Sequence, residues 1–213
     1  MPESRSYHHG NLKQALLDAS LALIRKSGSA AFTLREVARM AGVSHNAPYR
    51  HFHDKEELLA LLAAEGFDRL TAAMVKAADS VTVVPGDPAS GAMDRFRASG
   101  RGYVEFALNH PQHFAVMFDL PRGFAGNPQL QQAGERAFAT LVGYVEACQA
   151  EKILPPGEAL PFALLAWSMV HGVAKLAISG RLPLEAPEGV LEFADAATAA
   201  LTRGIANAFA ARK

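Results

Sequence analysis

The sequence has few of the residues and runs that mark several protein classes. It carries a single cysteine, Cys148, among 213 residues, which excludes an internal disulfide and a metal site built from several cysteines. Its first residues are polar and lack the apolar core of a signal peptide. No run of about 18 apolar residues passes without a polar interruption. We therefore expect a reduced, cytoplasmic protein that does not cross a membrane.

Charge is balanced overall but unevenly distributed. The chain carries 21 Lys and Arg against 21 Asp and Glu, so its formal net charge is zero. Residues 1–55 hold eight basic and four acidic side chains, a net charge of +4, and the remaining residues carry −4. Five of the eight histidines also fall within residues 1–55. A basic end on an otherwise acidic chain indicates contact with a nucleic acid.

Capping residues and helix breakers divide the sequence into about nine predicted helices. The fold class is all-α, because no stretch keeps the period-two alternation of a half-buried strand. We predict two domains, residues 1–56 and residues 57–213. The helices are expected at residues 11–28, 33–41, 45–51, 54–79, 87–109, 111–118, 127–150, 159–179 and 187–210, with a linker at 81–86 and a mobile loop at 120–126.

The segment Phe32–Leu58 has the pattern of a helix-turn-helix. Thr33 and Glu36 form a capping box, in which each side chain bonds to a free backbone N–H of the other residue. An apolar stripe follows at helical spacing. Gly42 can then end this helix in the left-handed conformation at little cost. The pattern predicts one short capped helix and a tight turn.

A second short helix is expected directly after the turn, over residues 45–51. Ser44 can cap it, and Asp54 with Glu57 repeats the capping pattern at the start of a third helix. Pro48 removes one backbone donor, which is tolerable so near the start of a helix. This second helix is the one that a helix-turn-helix places in the DNA major groove.

Side chains that can read or hold DNA are concentrated in this segment. We expect His45, Asn46 and Ala47 to face base edges, since an amide can bond adenine at two atoms and a small apolar side chain can pack on a thymine methyl. A plainer alternative is that two short capped helices connect larger elements, with their charges facing solvent. The residues expected at phosphates are Thr33, Ser44, Tyr49, His51 and Lys55, and Arg50 on the same helix is counted with the DNA-binding residues.

The motif resembles the DNA-binding region of the tetracycline-repressor (TetR) family of bacterial transcription regulators. The similarity covers about residues 10–60 and departs from the family at His45–Pro48, where many members carry a small residue, Thr and Leu. The resemblance implies a DNA-binding transcriptional regulator that acts as a repressor, and it leaves the operator sequence open. The matching positions are Thr33, Val37, Ala38, Ala41-Gly42-Val43-Ser44, Tyr49, His51-Phe52 and Lys55-Glu56-Glu57-Leu58.

Two further segments resemble one branch of this family. Tyr7–Leu12 is similar to its chain start, and Trp167–Gly172 resembles the motif that names the WHG type of TetR ligand domain. The resemblance then extends over nearly the whole chain. It implies that a helical ligand-binding and dimerisation domain follows the helix-turn-helix.

Aromatic and polar side chains recur at helical spacing in the second predicted domain. Trp167 and His171 are four residues apart, as are Tyr144 and Cys148, so each pair lies on one helix face. Such groups could line an apolar pocket, and an ordinary helical core has the same pattern. For His171, a hydrogen-bonded place in the core is favoured over direct ligand contact. The resemblance implies a small apolar effector, whose candidate lining is Tyr103, Phe106, His110, Phe114, Met117, Phe118, Tyr144, Cys148, Trp167 and His171.

The last predicted helix is rich in small residues, so two copies could approach closely. The resemblance implies a homodimer joined through the last two helices. A twofold dimer requires a palindromic operator in double-stranded DNA. The interface residues predicted on this helix are Ala194, Ala197, Thr198, Leu201 and Ile205.

No set of residues in the sequence has the spacing of a catalytic site. Cys148 has no base near it in the sequence, and no serine lies in a nucleophile-elbow motif. A metal site at His110 and His113 is disfavoured, because Pro111 lies between them. We therefore expect no enzyme activity, no cofactor and no metal. The main alternative to a repressor controlled by an effector is a DNA-binding dimer whose C-terminal domain binds a partner protein or only dimerises.

Overall fold

The computed structural model of the protein describes residues 12–82, 88–119, 126–184 and 186–210. Within these ranges the chain is helical, and the predicted all-α fold is confirmed. The expected caps at Asn11 and Asp87, the start Tyr7–Asn11 and most of the loop at 120–126 lie outside the described residues. The elements are α1 Leu12–Ser27, α2 Leu34–Met40, a 3₁₀ helix Pro48–Arg50, α3 Lys55–Asp79, α4 Pro88–Asn109, α5 Pro111–Phe118, α6 Pro128–Ala150, α7 Ala159–Ile178 and α8 Pro187–Ala210.

One predicted helix is wrong. The segment 45–51 contains a single 3₁₀ turn, Pro48–Arg50, in place of an α-helix. Pro48 has no N–H to donate to the Ser44 carbonyl, which instead accepts a hydrogen bond from the Ala47 N–H at 2.9 Å. The Arg50 N–H likewise donates three residues back, to the Ala47 carbonyl at 3.2 Å. The described residues therefore contain eight α-helices where about nine were expected.

The chain divides into two compact units, each of which is considered by itself. Unit 1 consists of Met1–Gly66 and Gln112–Gln132, and unit 2 consists of Phe67–Pro111 and Ala133–Lys213. Helix α3 starts in unit 1 and continues into unit 2 after Gly66. The predicted division after residue 56 concerns function and stays a prediction.

The core of unit 1 gathers the apolar faces of α1, α2 and the first half of α3. Leu16 and Val37 are fully buried, as are Leu58 and Leu62, which lie one turn apart on α3. Phe52, after the 3₁₀ turn, is also buried in this core. Residues 44–52, which we call the recognition segment, are thus anchored at their end by an aromatic side chain.

In unit 2, α4 packs against α7 and α8, which also pack against each other. Two glycines let neighbours come close to α4. A Cβ added at Gly102 would lie 2.7 Å from the Ala73 carbonyl oxygen and 2.9 Å from the Ala77 Cβ, both on α3. A Cβ at Gly100 would lie 3.4 Å from Val170 on α7. The packing of α3 against α4 therefore requires a residue without a side chain at Gly102.

We expect Gly102→Ala to lower the free energy of unfolding by about 1–3 kcal/mol, because the added methyl group would force two helices apart. The matched control is Gly143→Ala on α6, where an added Cβ meets nothing within 4 Å. That substitution should stabilise the protein by about 0.5–1 kcal/mol through helix propensity alone. Urea denaturation followed by circular dichroism measures both. Equal stabilisation by the two substitutions would show that α3 and α4 are not held at this distance.

Candidate nucleic-acid interface

Helix α2 begins with the predicted capping box, which is confirmed. The Glu36 N–H donates to Thr33 Oγ1 at 3.3 Å, and the Thr33 N–H donates to Glu36 Oε2 at 2.7 Å. The Thr33 hydroxyl donates to the same carboxylate oxygen at 2.9 Å. After α2, Gly42 has φ of +70°, in the left-handed region that favours glycine. Both ends of α2 are therefore fixed by local chemistry.

Helix α3 begins with a second exchange of hydrogen bonds. Asp54 Oδ1 accepts from the Glu57 N–H at 2.8 Å, which confirms the predicted cap. Glu57 Oε2 accepts from the His53 N–H at 2.6 Å, one residue earlier than in the standard box. His53 Nδ1 lies 3.1 Å from Asp54 Oδ2. These bonds fix where the chain leaves the recognition segment and enters α3.

Between the two capped helices the chain presents a polar surface. Ser44, His45 and Asn46 are exposed, as are Tyr49, at 55%, and Arg50. His51 is half-buried. The structure thus places five of the predicted DNA-binding side chains on the surface of one short segment.

Ala47 does not share this exposure. It is only 7% exposed and lies next to the buried Pro48. The 3₁₀ turn leaves these two apolar residues buried within unit 1. Ala47 therefore has almost no exposed surface with which to make the expected contact with a thymine methyl.

Charged side chains flank this surface. Lys55 Nζ lies 5.0 Å from the centre of the Phe32 ring, a cation–π contact that restrains the ammonium group beside the start of α2. Thr33 itself is exposed. Arg35 and Arg39, which sequence analysis did not single out, are exposed on α2. Their four-residue spacing, opposite the buried stripe, could have indicated a basic helix face.

Three of the predicted pocket residues meet in unit 2. The Trp167 Nε1–H donates to Tyr103 Oη at 3.3 Å, and Tyr103 Oη lies 2.9 Å from His171 Nδ1. The Trp167 and His171 ring centroids are 5.9 Å apart, and Phe138 packs edge-on against Trp167 at the same distance. When Tyr103 donates to Nδ1, His171 is neutral and carries its proton on Nε2. We call Tyr103, Trp167 and His171, with Phe138, the ring cluster.

Burial keeps the phenol of the ring cluster neutral. Tyr103 is 3% exposed, and this burial raises its pKa well above the ordinary value, although the hydrogen bond from Trp167 acts the other way. The Tyr103 hydroxyl and the Trp167 N–H are thus hydrogen-bonded to each other. A ligand at this cluster would meet ring faces and edges, with His171 as the more polar contact.

The other candidates in unit 2 lie on α4 and α6. The Phe106 and His110 rings are 5.1 Å apart, and burial, with the charge of Arg69, lowers the pKa of His110. Cys148 is fully buried, which raises its pKa to about 11. Burial also raises the pKa of Tyr144, one turn earlier on the same helix. A buried thiol of this kind is a poor nucleophile at neutral pH.

The remaining three pocket candidates belong to unit 1. The Phe114 and Phe118 rings pack 4.8 Å apart on α5. Met117 lies against Gly66 so closely that a Cβ added to the glycine would be 2.5 Å from the Met117 sulfur. The pocket lining predicted from the sequence is therefore distributed over two compact units, seven residues in one and three in the other.

The residues predicted at the dimer interface are not all available to a partner. Ala194 and Thr198 are 1% and 3% exposed within a single chain. They are covered because α8 packs against α4, where the side chain of Thr198 faces Gly100. Ala197, Leu201 and Ile205 are half-buried. Large exposed apolar side chains lie elsewhere, at Leu160, Leu164, Leu165, Leu176 and Ile178 on α7 and at Phe193 on α8.

Comparison with known proteins identifies the family. Residues 16–62 match the family described as bacterial regulatory proteins, tetR family, and residues 96–201 match the tetracyclin repressor-like C-terminal domain. The chain belongs to the TetR family. The matched C-terminal region includes Trp167–Gly172, which the sequence analysis had assigned to a TetR ligand domain.

Solved structures agree with this assignment. A protein of unknown function from Rhodococcus sp. RHA1 is 37% identical, with a TM-score of 0.78 over 95% of this chain and 100% of that one. A bacterial regulatory protein of the tetR family from Rhodococcus RHA1 is 20% identical, with a TM-score of 0.67 over 91% and 96%. A TetR family transcription regulator from Marinobacter aquaeolei VT8 is 17% identical, with a TM-score of 0.65 over 88% and 95%. The last two show a shared fold.

The described residues of this TetR protein contain no group of three or more His, Cys, Asp or Glu that could hold a metal ion. By length and composition alone, α7 is the one helix among the described residues that could cross a membrane, and 28% of its apolar window is buried. The sequence analysis, which required an uninterrupted apolar run, did not single out this helix.

The capping carboxylates should make the stability of this TetR protein depend on pH. Hydrogen bonds from backbone N–H groups, followed by those from the Thr33 and His53 side chains, lower the pKa of Glu36 and of Asp54. A carboxyl group whose pKa is depressed by folding stabilises the protein above its unfolded pKa, and this stabilisation is lost as the pH falls through the folded pKa. We expect the free energy of unfolding to decrease from about pH 5 to about pH 3.

Urea denaturation across this range tests the prediction. Glu36→Gln and Asp54→Asn should each make the pH dependence shallower. Glu56→Gln is the matched control, since this neighbouring carboxylate is exposed. If both capping variants keep the slope of the wild-type protein, the two carboxylates do not contribute to stability as their hydrogen bonds suggest.

Proposed function

We propose that this TetR-family regulator is a homodimeric, cytoplasmic repressor that binds a palindromic operator through residues 44–55, and that it has no catalytic role. The observation that carries the proposal is the row of exposed polar side chains on the recognition segment, held between two capped helices. A surface that only connected larger elements would not need a cap on both sides and a tyrosine that is 55% exposed.

The roles of these side chains follow from their chemistry. The exposed amide of Asn46 can bond both N6 and N7 of adenine, and His45 beside it can donate to a base edge. Tyr49 and Arg50 lie one turn later, where a hydroxyl and a guanidinium can reach phosphates. Thr33 and Lys55, at the starts of the flanking helices, supply further phosphate contacts in this proposal. Ala47 is left out because it is buried.

The dimer is proposed to form through the exposed apolar face of α7, together with Phe193 on α8. Leu160 and Leu164 are four residues apart and so lie one above the other on the helix surface, while Leu165, the next residue, lies about 100° further round the helix. Contiguous apolar side chains of this size are characteristic of an interface. Ala197, Leu201 and Ile205 are half-buried and can lie at its edge, whereas Ala194 and Thr198 belong to the interior of one chain.

Release from DNA is proposed to follow the binding of a small apolar effector in unit 2. The ring cluster supports this, since its polar atoms bond to one another and leave aromatic surface for an apolar molecule. Helix α3 belongs to both units and can carry a displacement to the recognition segment. Effector and operator must then weaken each other's binding by the same factor. The alternative, a DNA-binding dimer without a small effector, predicts that no apolar compound alters operator affinity.

Selection from a random pool of DNA duplexes, at two salt concentrations, tests the operator proposal. We expect one palindromic motif with half-sites about one helical turn apart or a multiple of this. Asn46→Ala should relax the preference at one base pair of each half-site by about 1–3 kcal/mol. Lys55→Ala should weaken binding to all sequences. It should also make the slope of log affinity against log salt concentration shallower by about one per protomer, because one phosphate contact is lost. An unchanged base preference in Asn46→Ala would remove that residue from base reading.

Only salt-sensitive, unspecific binding by the wild-type protein would argue against the repressor itself. Glu56→Gln serves as a control, because this exposed residue of α3 is proposed to contact neither bases nor phosphates. It should leave the selected motif unchanged.

The double substitution Leu164→Asp and Leu165→Asp should convert the dimer to a monomer. Each buried leucine contributes about 1.5–3 kcal/mol, and each side chain occurs twice, so dimerisation should weaken at least about a hundredfold. Analytical ultracentrifugation measures the change. The control is Val75→Asp, which places the same charge at an exposed apolar residue on α3. Dimers of unchanged affinity in the double variant would place the interface elsewhere.

A further inference from the structure

The starts of α2 and α3 are joined by a contact between a lysine and an aromatic ring. Phe32 directly precedes Thr33, the cap of α2, and Lys55 directly follows Asp54, the cap of α3. Lys55 Nζ lies 5.0 Å from the centre of the Phe32 ring. Because cap hydrogen bonds fix the backbone beside both residues, the position of this ammonium group depends on the freedom of the lysine side chain alone.

The Phe32 ring is packed into the core of unit 1. It is 6% exposed and belongs to the same buried cluster as Leu34 and Leu58, whereas Lys55 is half-buried. Side chains in a close-packed core stay near one position. The contact between the two side chains therefore restrains the lysine, and the ring supplies a fixed surface for it.

Lys55 stands at a position where its own helix disfavours a cation. It is the first residue of α3, where the helix dipole favours the acidic Glu56 and Glu57 and opposes a positive charge. The face of an aromatic ring carries partial negative charge and attracts an ammonium group. The Phe32 ring thus draws Nζ away from the start of α3 and toward the start of α2.

The ammonium group keeps donors for a further acceptor. No ion pair of Lys55 is present in the part of the chain that the structure describes. The carboxylate of Glu36 is engaged by Thr33, whose hydrogen bonds do most to lower its pKa, and the charges of Arg39 and Lys55 add to this effect. An ammonium carries three N–H donors, and a ring face meets it from one side. The remaining donors can reach a phosphate oxygen.

We propose that Phe32 is a positioning residue for DNA binding, an inference that rests on the proposed function because it takes up the phosphate contact of Lys55. The ring holds the ammonium group in place before DNA arrives, so the group meets a phosphate with little further loss of freedom. A long side chain is costly to immobilise on binding, and a contact that already restrains it in the free protein removes part of this cost. Phe32 is buried and acts through Lys55.

Fluorination of the Phe32 ring tests the proposal with almost no change of shape. Proteins that carry one, two or three ring fluorines at this residue lose the negative ring face in steps. We expect affinity for the selected operator to fall with each fluorine, by about twofold to tenfold per protomer with all three, which is the cost of immobilising one long side chain. In the Lys55→Ala background the same fluorinations should leave affinity unchanged, because no ammonium faces the ring.

The salt dependence of binding separates positioning from loss of the contact. Fluorinated proteins should keep the wild-type slope of log affinity against log salt concentration, since the phosphate is still bound, whereas Lys55→Ala should have a shallower slope. Phe52, which is 1% exposed in the same core, is the matched control. Fluorination of Phe52 should have the same effect in the wild-type and Lys55→Ala backgrounds. Urea denaturation checks that every variant is folded.

Several outcomes would overturn the role of Phe32 while leaving the repressor intact. Affinity could be independent of fluorination, or it could fall equally in the Lys55→Ala background. Tighter binding by the fluorinated proteins would show that the ring holds the ammonium group away from the phosphate. Equal operator affinity of the wild-type and Lys55→Ala proteins would remove the phosphate contact, and the role of Phe32 with it.

Failure of the proposed function gives a different result. A protein that selects no operator would count against the repressor alone. Because phosphate contacts do not depend on sequence, the same comparison of fluorinated proteins on an unrelated duplex at low salt would still decide the role of Phe32. Affinity that falls with fluorination only when Lys55 is present would support it, and any other pattern would overturn it.

Discussion

The polar surface of the recognition segment depends on the hydrogen bonds between side chains and backbone N–H groups at the starts of α2 and α3. Thr33 and Glu36 satisfy each other's N–H groups, and Asp54 and Glu57 satisfy those at the next helix start. Each exchange uses only residues within four positions, so it forms without help from distant packing. Because both flanking helices are fixed in this way, the segment between them need not be a regular helix. A 3₁₀ turn around Pro48 is then sufficient to hold polar side chains in place.

In unit 2, polar groups of the ring cluster also satisfy one another's hydrogen bonds, and this has a different consequence. Tyr103 and Trp167 bond to each other, and burial keeps the phenol neutral. Their polar atoms are therefore poor sources of directional contacts for a ligand. Aromatic surface without free donors recognises size and shape more than functional groups. In the proposed effector site, discrimination between ligands would then depend on the more polar ring of His171.

Local signals in the sequence were enough to predict most helices of this fold. Prolines begin α4, α5, α6 and α8, capping residues precede α2 and α3, and Gly42 adopts the expected left-handed conformation. Burial was harder to predict, since it depends on which helices meet. Ala47 was expected to face DNA and is buried, because the polar segment still needs one apolar side toward the core.

The small residues of α8 show why composition alone cannot identify the helix against which they pack. A stripe of small side chains permits any helix to approach closely, and nothing in the sequence states which helix does so. In unit 2 the neighbouring helix is α4, where Gly100 allows close approach. Ala194 and Thr198 are therefore buried within a single chain. In the proposed dimer, the apolar surface left for a second copy is the leucine-rich face of α7. That face is costly to leave in water, and a symmetric partner that presents the same leucines would cover it.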